Sequence, residues 1–142
     1  MNPSRLKPEK KINELLLLRT IFSYTKENGF SPTAEVLMRL KSKFAPSLTE
    51  VDTLRMWLNR HRNRTVRRVN KRRPYRYEVN RQGEKRIVYL VKRELKKAIF
   101  IKKLGFQPKH NVSALYRIAL DLQKTVEEKL QLMELFYQYL EV

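Results

Sequence analysis

The chain has 142 residues and a formal net charge of +18, with 32 Lys and Arg against 14 Asp and Glu. This length predicts one domain, or one small domain with an appended element, and a hydrophobic fraction of 42% excludes wholesale disorder. The absence of cysteine excludes disulfides, thiolate nucleophiles and Cys-ligated zinc, and no apolar run reaches the ~18 residues of a membrane span.

Apolar spacing and capping residues predict the first two helices. Residues 1–9 form a polar lead-in, and the apolar positions that follow are typical of a helix over 10–28 with a broad buried stripe. Gly29 suits the left-handed residue that ends such a helix. Ser31 at the N-cap and Pro32 at the first helical position then begin a second, shorter helix.

A third helix is predicted over 48–64. Ser47 and Glu50 have the spacing of a capping box, in which two side chains satisfy each other's unpaired backbone N–H groups. Trp57 is interpreted as a core residue at the edge of the buried stripe. The stripe itself consists of three apolar residues: Val51, Leu54 and Leu58.

Residues 75–91 predict a β-hairpin with a basic tip. Its first strand, around Tyr77, alternates aromatic or β-branched residues with charged ones, and its second, 87–91, is rich in β-branched residues. The polar segment 80–86, which contains a glycine, forms the turn. Tyr75, Tyr77 and Tyr89 lie among arginines, which suits either stacking on single-stranded bases or cross-strand packing, and packing is favoured.

Two helices are predicted after the hairpin. One covers 95–104 and is ended by Gly105. The other begins at Asn111 or Ser113 and continues nearly to Val142, which gives a length of about 45 Å.

These elements, in this order, resemble a winged helix-turn-helix domain. The resemblance covers residues 10–92 and rests on the segments Ser31–Glu35 and Ser47–Glu50, followed by the hairpin Tyr75–Val91. It implies an α+β fold, mostly α, with three helices and a β-hairpin wing. The stretch 65–73 departs from the family pattern and leaves the register of the wing open.

The domain organisation follows from this resemblance. The winged helix-turn-helix DNA-binding domain is expected over 10–93, and a C-terminal helical dimerisation region over 94–142. The final helix resembles the dimerisation helices of small archaeal winged-helix regulators and chromatin proteins.

The positive charge is concentrated in the middle of the chain. Residues 55–93 hold fifteen basic and two acidic side chains, a net +13 of the total +18. Nucleic acid is the first candidate partner for such a region, and an anionic membrane surface is the second. A heat-adapted protein with a solvated basic surface is the other interpretation, but thermal adaptation usually adds Glu together with Lys and Arg.

The resemblance implies that the third helix enters the major groove of double-stranded DNA and that the wing reaches the flanking groove. The base-reading candidates are Asn59, Arg60, Met56 and Asn63. The phosphate-binding candidates are Thr49, Thr53, Arg55, Arg62, Arg64, Arg67, Arg68, Arg72 and Arg73. The wing candidates are Arg81, Lys85 and Arg86. Two alternatives to base reading stay open: Asn59 as a solvated polar residue, and Met56 as a contact to a partner protein.

The final helix has two interpretations. Packed on its own domain, it completes a monomeric core. Its apolar residues extend further than one small domain covers, which favours a homodimer. The residues near heptad spacing that would form this interface are Leu115, Leu122, Val126, Met133, Phe136 and Leu140.

The sequence therefore predicts a sequence-specific double-stranded DNA-binding protein, a dimeric transcription regulator that is not an enzyme. No cofactor or metal is expected, because His61 and His110 are far apart and no phosphate loop or catalytic motif is present. The alternatives are an architectural protein with little base preference, and an interaction factor that docks on the transcription or replication machinery. We expect a cytoplasmic, nucleoid-associated location without membrane attachment.

Overall fold

The N-terminal helix α1 spans Glu14–Asn28 in the structure, a computed structural model that describes residues 8–142. Of the predicted lead-in, only Pro8 and Glu9 are described; they belong to a short 3₁₀ turn, Pro8–Lys11. The Asn13 side chain caps α1 by accepting from the Leu16 N–H, 3.0 Å away. The helix ends at Gly29, whose φ of 78° confirms the predicted left-handed residue.

Helix α2 spans Ala34–Arg39 and is capped by Thr33, not by Ser31 as predicted. The Thr33 hydroxyl accepts from the Val36 N–H at 3.2 Å. Ser31 lies before the helix, because its segment pairs with a distant strand: the Tyr77 N–H donates to the Pro32 carbonyl at 2.9 Å. A 3₁₀ turn, Lys41–Lys43, follows α2.

Helix α3 spans Val51–His61 and is shorter than the predicted 48–64. The predicted capping box does not form, because Glu50 itself occupies the N-cap position and makes no side-chain cap hydrogen bond. Leu54 and Leu58 are fully buried, as predicted, whereas Val51 is half-buried. Trp57 is also buried, and the His61 ring stacks on it with the ring centroids 3.7 Å apart.

A two-stranded antiparallel sheet follows, formed by β1 (Val66–Arg68) and β2 (Tyr77–Val79). Val66 pairs with Val79 and Arg68 pairs with Tyr77. An isolated antiparallel bridge joins Thr33 to Arg76. The segment before α2 therefore runs beside β2, and β2 runs beside β1.

The predicted hairpin over 75–91 is wrong in its second half. Residues 87–91 lie in helix α4, which spans Arg81–Lys103, and the true partner of β2 precedes it in the chain. The β-branched residues of 87–91 are typical of a strand, although the buried positions of this segment follow the spacing of a helix. The buried apolar residues of α4 have helical spacing: Ile87, Val91, Leu95 and Ala98 lie three or four positions apart, and Leu90 lies beside Val91.

The start of α4 lies against the connection between α3 and β1. Asn80 precedes the helix; its side chain accepts from the Gly83 N–H at 2.8 Å, and its own N–H donates to the Thr65 carbonyl at 3.0 Å. A Cβ atom on Gly83 would lie 2.1 Å from the Thr65 carbonyl oxygen and 2.6 Å from Val79 Cγ1. Gly83 therefore permits a close approach of helix and backbone, and does not form the predicted turn.

Two further helices complete the chain, α5 (Val112–Leu122) and α6 (Val126–Glu141). The Asn111 side chain caps α5 by accepting from the Ala114 N–H at 3.2 Å, which confirms one of the two predicted caps. The predicted single final helix is wrong, because Thr125 caps a new helix through the Glu128 N–H. Tyr116 of α5 stacks on Phe136 of α6, with ring centroids 4.0 Å apart.

The fold is α+β and mostly α, as predicted. The chain divides into two compact units, the first ending at Glu84 and the second beginning at Lys85, so α4 contributes residues to both. The predicted domain boundary, after residue 93, lies further along the same helix.

Candidate nucleic-acid interface

The outward face of α3 carries three of the four predicted base-reading residues. Met56 is 56% exposed, and Asn59 and Arg60 are exposed beside it. Arg60 is already engaged within the first unit, because its Nη1 lies 3.0 Å from Oε2 of Glu9. Asn59 and Met56 are therefore the exposed side chains of this face that carry no ion pair.

Asn63, the fourth base-reading candidate, does not share this face. It follows the end of α3, has a φ of 69°, and donates its N–H to the Val66 carbonyl at 2.9 Å. Asparagine tolerates this left-handed conformation better than most residues, so Asn63 turns the chain from α3 into β1. Arg62 and Arg64 flank it in the same turn and are likewise outside the helix.

The two predicted threonine contacts lie at the start of α3. Thr49 is exposed and precedes the helix, because α3 begins at Val51. Thr53 is in the first turn and half-buried.

Arg55, predicted to bind phosphate, lies between two carboxylates. Its guanidinium donates to Asp52 Oδ1 at 2.6 Å through Nη1 and to Glu35 of α2 through Nη2. A backbone hydrogen bond lowers the pKa of Glu35, and Arg55 lowers it further against the opposing effect of burial. The hydrogen bond to Asp52 has the largest effect on the pKa of Arg55 and raises it; the hydrogen bond to Glu35 raises it further. The charge of Arg55 is thus compensated locally.

The hairpin loop between β1 and β2 is organised by one side chain. Asn70 donates through Nδ2 to the carbonyls of Arg72 and Pro74, at 2.8 and 2.9 Å, and accepts from the Arg76 N–H at 2.7 Å. The loop consequently projects three consecutive exposed basic side chains: Lys71, Arg72 and Arg73.

Other arginines of the hairpin contact aromatic rings and a carboxylate. The guanidinium of Arg68 lies 4.1 Å from the centre of the Tyr75 ring, and that of Arg73 lies 5.9 Å from it. Arg67 forms an ion pair with Glu78 on the opposite strand. Tyr77 is buried, and this burial raises the pKa of its hydroxyl.

An open cleft of about 500 Å³ lies between α3 and the hairpin loop, with the start of α2 at one side. Helix α3 contributes Asp52, Arg55 and Asn59 to its wall, and the loop contributes Arg73, Pro74 and Tyr75. The predicted base-reading face and the basic loop are therefore adjacent parts of one surface.

The predicted wing residues Arg81, Lys85 and Arg86 require correction. All three lie on α4, because the hairpin ends at Val79. Lys71 occupies the loop but was not among the predicted site residues. The turn-forming residues Asn70 and Pro74, between two β-branched segments, are the signal that could have located this loop.

The predicted dimer interface is also only partly exposed. Leu115 and Leu122 are buried inside the second unit and cannot form part of its surface, which corrects their assignment. Phe136 and Met133 are half-buried, and Phe136 stacks on Tyr116. Val126 and Leu140 are exposed by 73% and 54%.

Within residues 8–142, no helix has the length and apolar character needed to span a bilayer. In the same part of the chain, no three His, Asp or Glu side chains are grouped closely enough to hold a metal ion. Comparison of the chain with known proteins finds no matching family model, no matching curated protein and no matching solved structure.

Proposed function

We propose that the first unit is a winged helix-turn-helix domain that binds double-stranded DNA through α3 and the loop 69–76. The observation that carries this proposal is the cleft, where the outward face of α3 lies next to a loop bearing three consecutive exposed cations. Both features suit a duplex, because the major groove admits an α-helix and cations bind the phosphates beside it.

The order of the elements supports the winged-helix part of the proposal. Three helices precede the hairpin, and the segment before α2 pairs with β2, which pairs in turn with β1. In this arrangement the wing is the hairpin 66–79, and its tip is the segment 71–74.

The electrostatics support binding to a polyanion. Lys71 and Arg72 are exposed, and neither has an ion-pair partner among the described residues. Their side chains would replace the counterions of backbone phosphates, and the release of those ions drives association. Arg62 and Arg64, in the turn after α3, extend the same positive surface.

Asn59 is the strongest candidate for reading a base. Its side chain lies in the wall of the cleft and is exposed, and asparagine can pair with adenine through two hydrogen bonds. Arg60 would have to leave Glu9 before it could bind guanine, so its contribution is smaller.

The proposal is tested by titrating the full chain against a fluorescent 20-base-pair duplex of random sequence at several salt concentrations. The key variant carries Lys71→Ala, Arg72→Ala and Arg73→Ala. Its matched control carries Lys96→Ala, Lys97→Ala and Lys103→Ala, three exposed lysines of α4 in the second unit. Both variants lose the same formal charge.

We expect the loop variant to reduce the slope of log K against log salt by about 2–3 units, since each phosphate contact contributes about 0.9. We expect the control to keep most of the slope. Equal losses in both variants would contradict a specific loop contact, and the absence of binding by the unaltered chain would refute the proposal.

The same assay distinguishes a regulator from an architectural protein. A sequence selected from a random pool and bound at least ~10³-fold more tightly than unselected duplex would establish specific recognition. Binding without an enriched sequence would assign the chain to the architectural class.

A further inference from the structure

Helix α6 carries an exposed apolar stripe on the side that does not pack on α5. Five residues form it, at successive spacings of four, three, four and three: Val126, Leu130, Met133, Tyr137 and Leu140. Apart from the half-buried Met133, they are exposed by between 54% and 73%. Alternating spacings of three and four are the repeat by which a helix pairs with another helix along its length.

The stripe is distinct from the face that packs inside the second unit. That inner face contains Leu132, which is fully buried, and Phe136, which stacks on Tyr116. At about 100° per residue, the centre of the stripe lies roughly a third of a turn from the inner face. The stripe can therefore be covered while α6 keeps its contact with α5.

We propose that this stripe is the homodimer interface, in which α6 pairs with α6 of a second copy in parallel. This proposal is independent of DNA binding. In the seven-residue repeat of a coiled coil, labelled a to g, stripe residues 130 and 137 occupy position a. Residues 126, 133 and 140 occupy position d.

The charges beside the stripe select a second copy and its direction. One edge carries Glu127, Glu134 and Glu141, and the other carries Lys129; all four are exposed. In a parallel pair, Lys129 of one protomer faces Glu134 of the other, five residues further along, and the two-fold axis makes this contact twice. An antiparallel pair would place the acidic edges of the two helices together. The attraction and the repulsion both favour the parallel arrangement.

The size of the stripe suits a modest, reversible dimer. Four large side chains, each more than half exposed, leave on the order of 400 Å² of apolar surface on each protomer, comparable with the largest apolar patches of monomers. Pairing would bury such an area on both copies, roughly 800 Å² of apolar surface in total, which is below the ~1,000 Å² of most specific interfaces. Dissociation is therefore expected at micromolar concentration.

The first test measures the mass of the full chain by analytical ultracentrifugation over a range of concentrations. The unaltered chain should approach twice its 17.2 kDa mass. Leu130→Lys should remain monomeric, and Gln131→Lys, which adds the same charge at an exposed position outside the stripe, should dimerise normally. Circular dichroism establishes that both variants keep their helices. A monomeric unaltered chain, or a dimer that survives Leu130→Lys, would overturn the proposal.

The second test determines direction and uses the absence of cysteine from the chain. Val126→Cys and Leu140→Cys lie at opposite ends of the stripe. Under mild oxidation each variant alone should form a disulfide-linked dimer, because parallel helices place identical residues together. Cross-linking only in a mixture of the two variants would show an antiparallel pair and refute the arrangement.

Charge exchange supplies an independent check of direction. Glu134→Lys should weaken dimerisation severalfold, and combining it with Lys129→Glu should restore it, since the pair between protomers is then reversed. Failure of the double variant to recover would remove the assigned contact. Duplex binding by the Leu130→Lys monomer, measured separately, keeps this proposal distinguishable from the DNA-binding proposal.

Discussion

Gly83→Ala tests the close approach between α4 and the connection that precedes β1. The added Cβ would lie 2.1 Å from the Thr65 carbonyl oxygen and 2.6 Å from Val79 Cγ1, whereas ordinary contacts exceed 3.4 Å. The helix start must therefore move by more than about 1 Å away from rigid backbone, and overpacking of this kind costs roughly 1–3 kcal/mol or more.

Two further contributions enter the expected change in the free energy of unfolding. Alanine favours a helix over glycine by about 1 kcal/mol, which offsets part of the cost. The movement also strains the hydrogen bond from the Asn80 N–H to the Thr65 carbonyl, 3.0 Å long, and a lost hydrogen bond costs about 1 kcal/mol. These two contributions roughly cancel, so we expect a net destabilisation of roughly 1–3 kcal/mol.

The assay is urea unfolding followed by the fluorescence of Trp57, the single tryptophan, which is buried in the first unit. Gln82→Ala, an exposed neighbour in the same turn, controls for helix propensity. Gly29→Ala controls for backbone conformation, because its φ is 78° and nothing lies within 4 Å of an added Cβ. It should cost only about 1–2 kcal/mol. A Gly83→Ala protein as stable as Gln82→Ala would refute the close approach.

Three predictions concern the cleft. Glu35→Gln should strengthen binding to random duplex and steepen its salt dependence, because Arg55 then retains one carboxylate partner instead of two; unchanged binding in the anisotropy assay would contradict this. Asn59→Ala should lower the preference for a selected site by about 1–3 kcal/mol and leave binding to random duplex nearly unchanged, so an equal loss on both duplexes would remove its base-reading role. Because the pKa of Glu35 is lowered in the folded chain, the stability it contributes is present above its ordinary pKa and is lost as the pH falls through the lowered pKa. In urea unfolding, the excess stability of the unaltered chain over Glu35→Gln should therefore be present near neutral pH and vanish in acid; a constant difference would contradict the lowered pKa of Glu35.

Local signals predicted only some of the helix ends: the capping box of Ser47 and Glu50 does not form, and the cap at Thr125 was missed. Gly29 and Asn111 act at the helix ends where their chemistry places them. The hairpin was misplaced because 87–91 has the composition of a strand, while its helical period becomes evident only with Leu95 and Ala98 included. Gly83 strengthened the error, since a glycine required for close packing has the same sequence signature as a glycine in a turn.

The candidate site depended more on distant pairing. The contact between Arg55 and Glu35 joins residues twenty positions apart, and nothing in either local segment indicates it. The bridge between Thr33 and Arg76 is also a distant contact. Because of it, Ser31 belongs to an extended segment and does not cap a helix as predicted. Charge density, by contrast, is a property of composition, so the basic character of the central region could be recognised without knowing which residues form the hairpin.

The organisation of the hairpin loop by Asn70 has a consequence for how this protein could change over time. The three hydrogen bonds of that side chain end on backbone atoms, so they place no demand on the side chains at positions 71, 72 and 73. The backbone conformation of the loop therefore does not depend on the charge that its side chains present. Substitutions at these three positions can raise or lower affinity for a polyanion in small steps, each near one counterion, while the loop keeps its conformation. Replacement of Asn70 would remove that independence, because shape and charge would then change together.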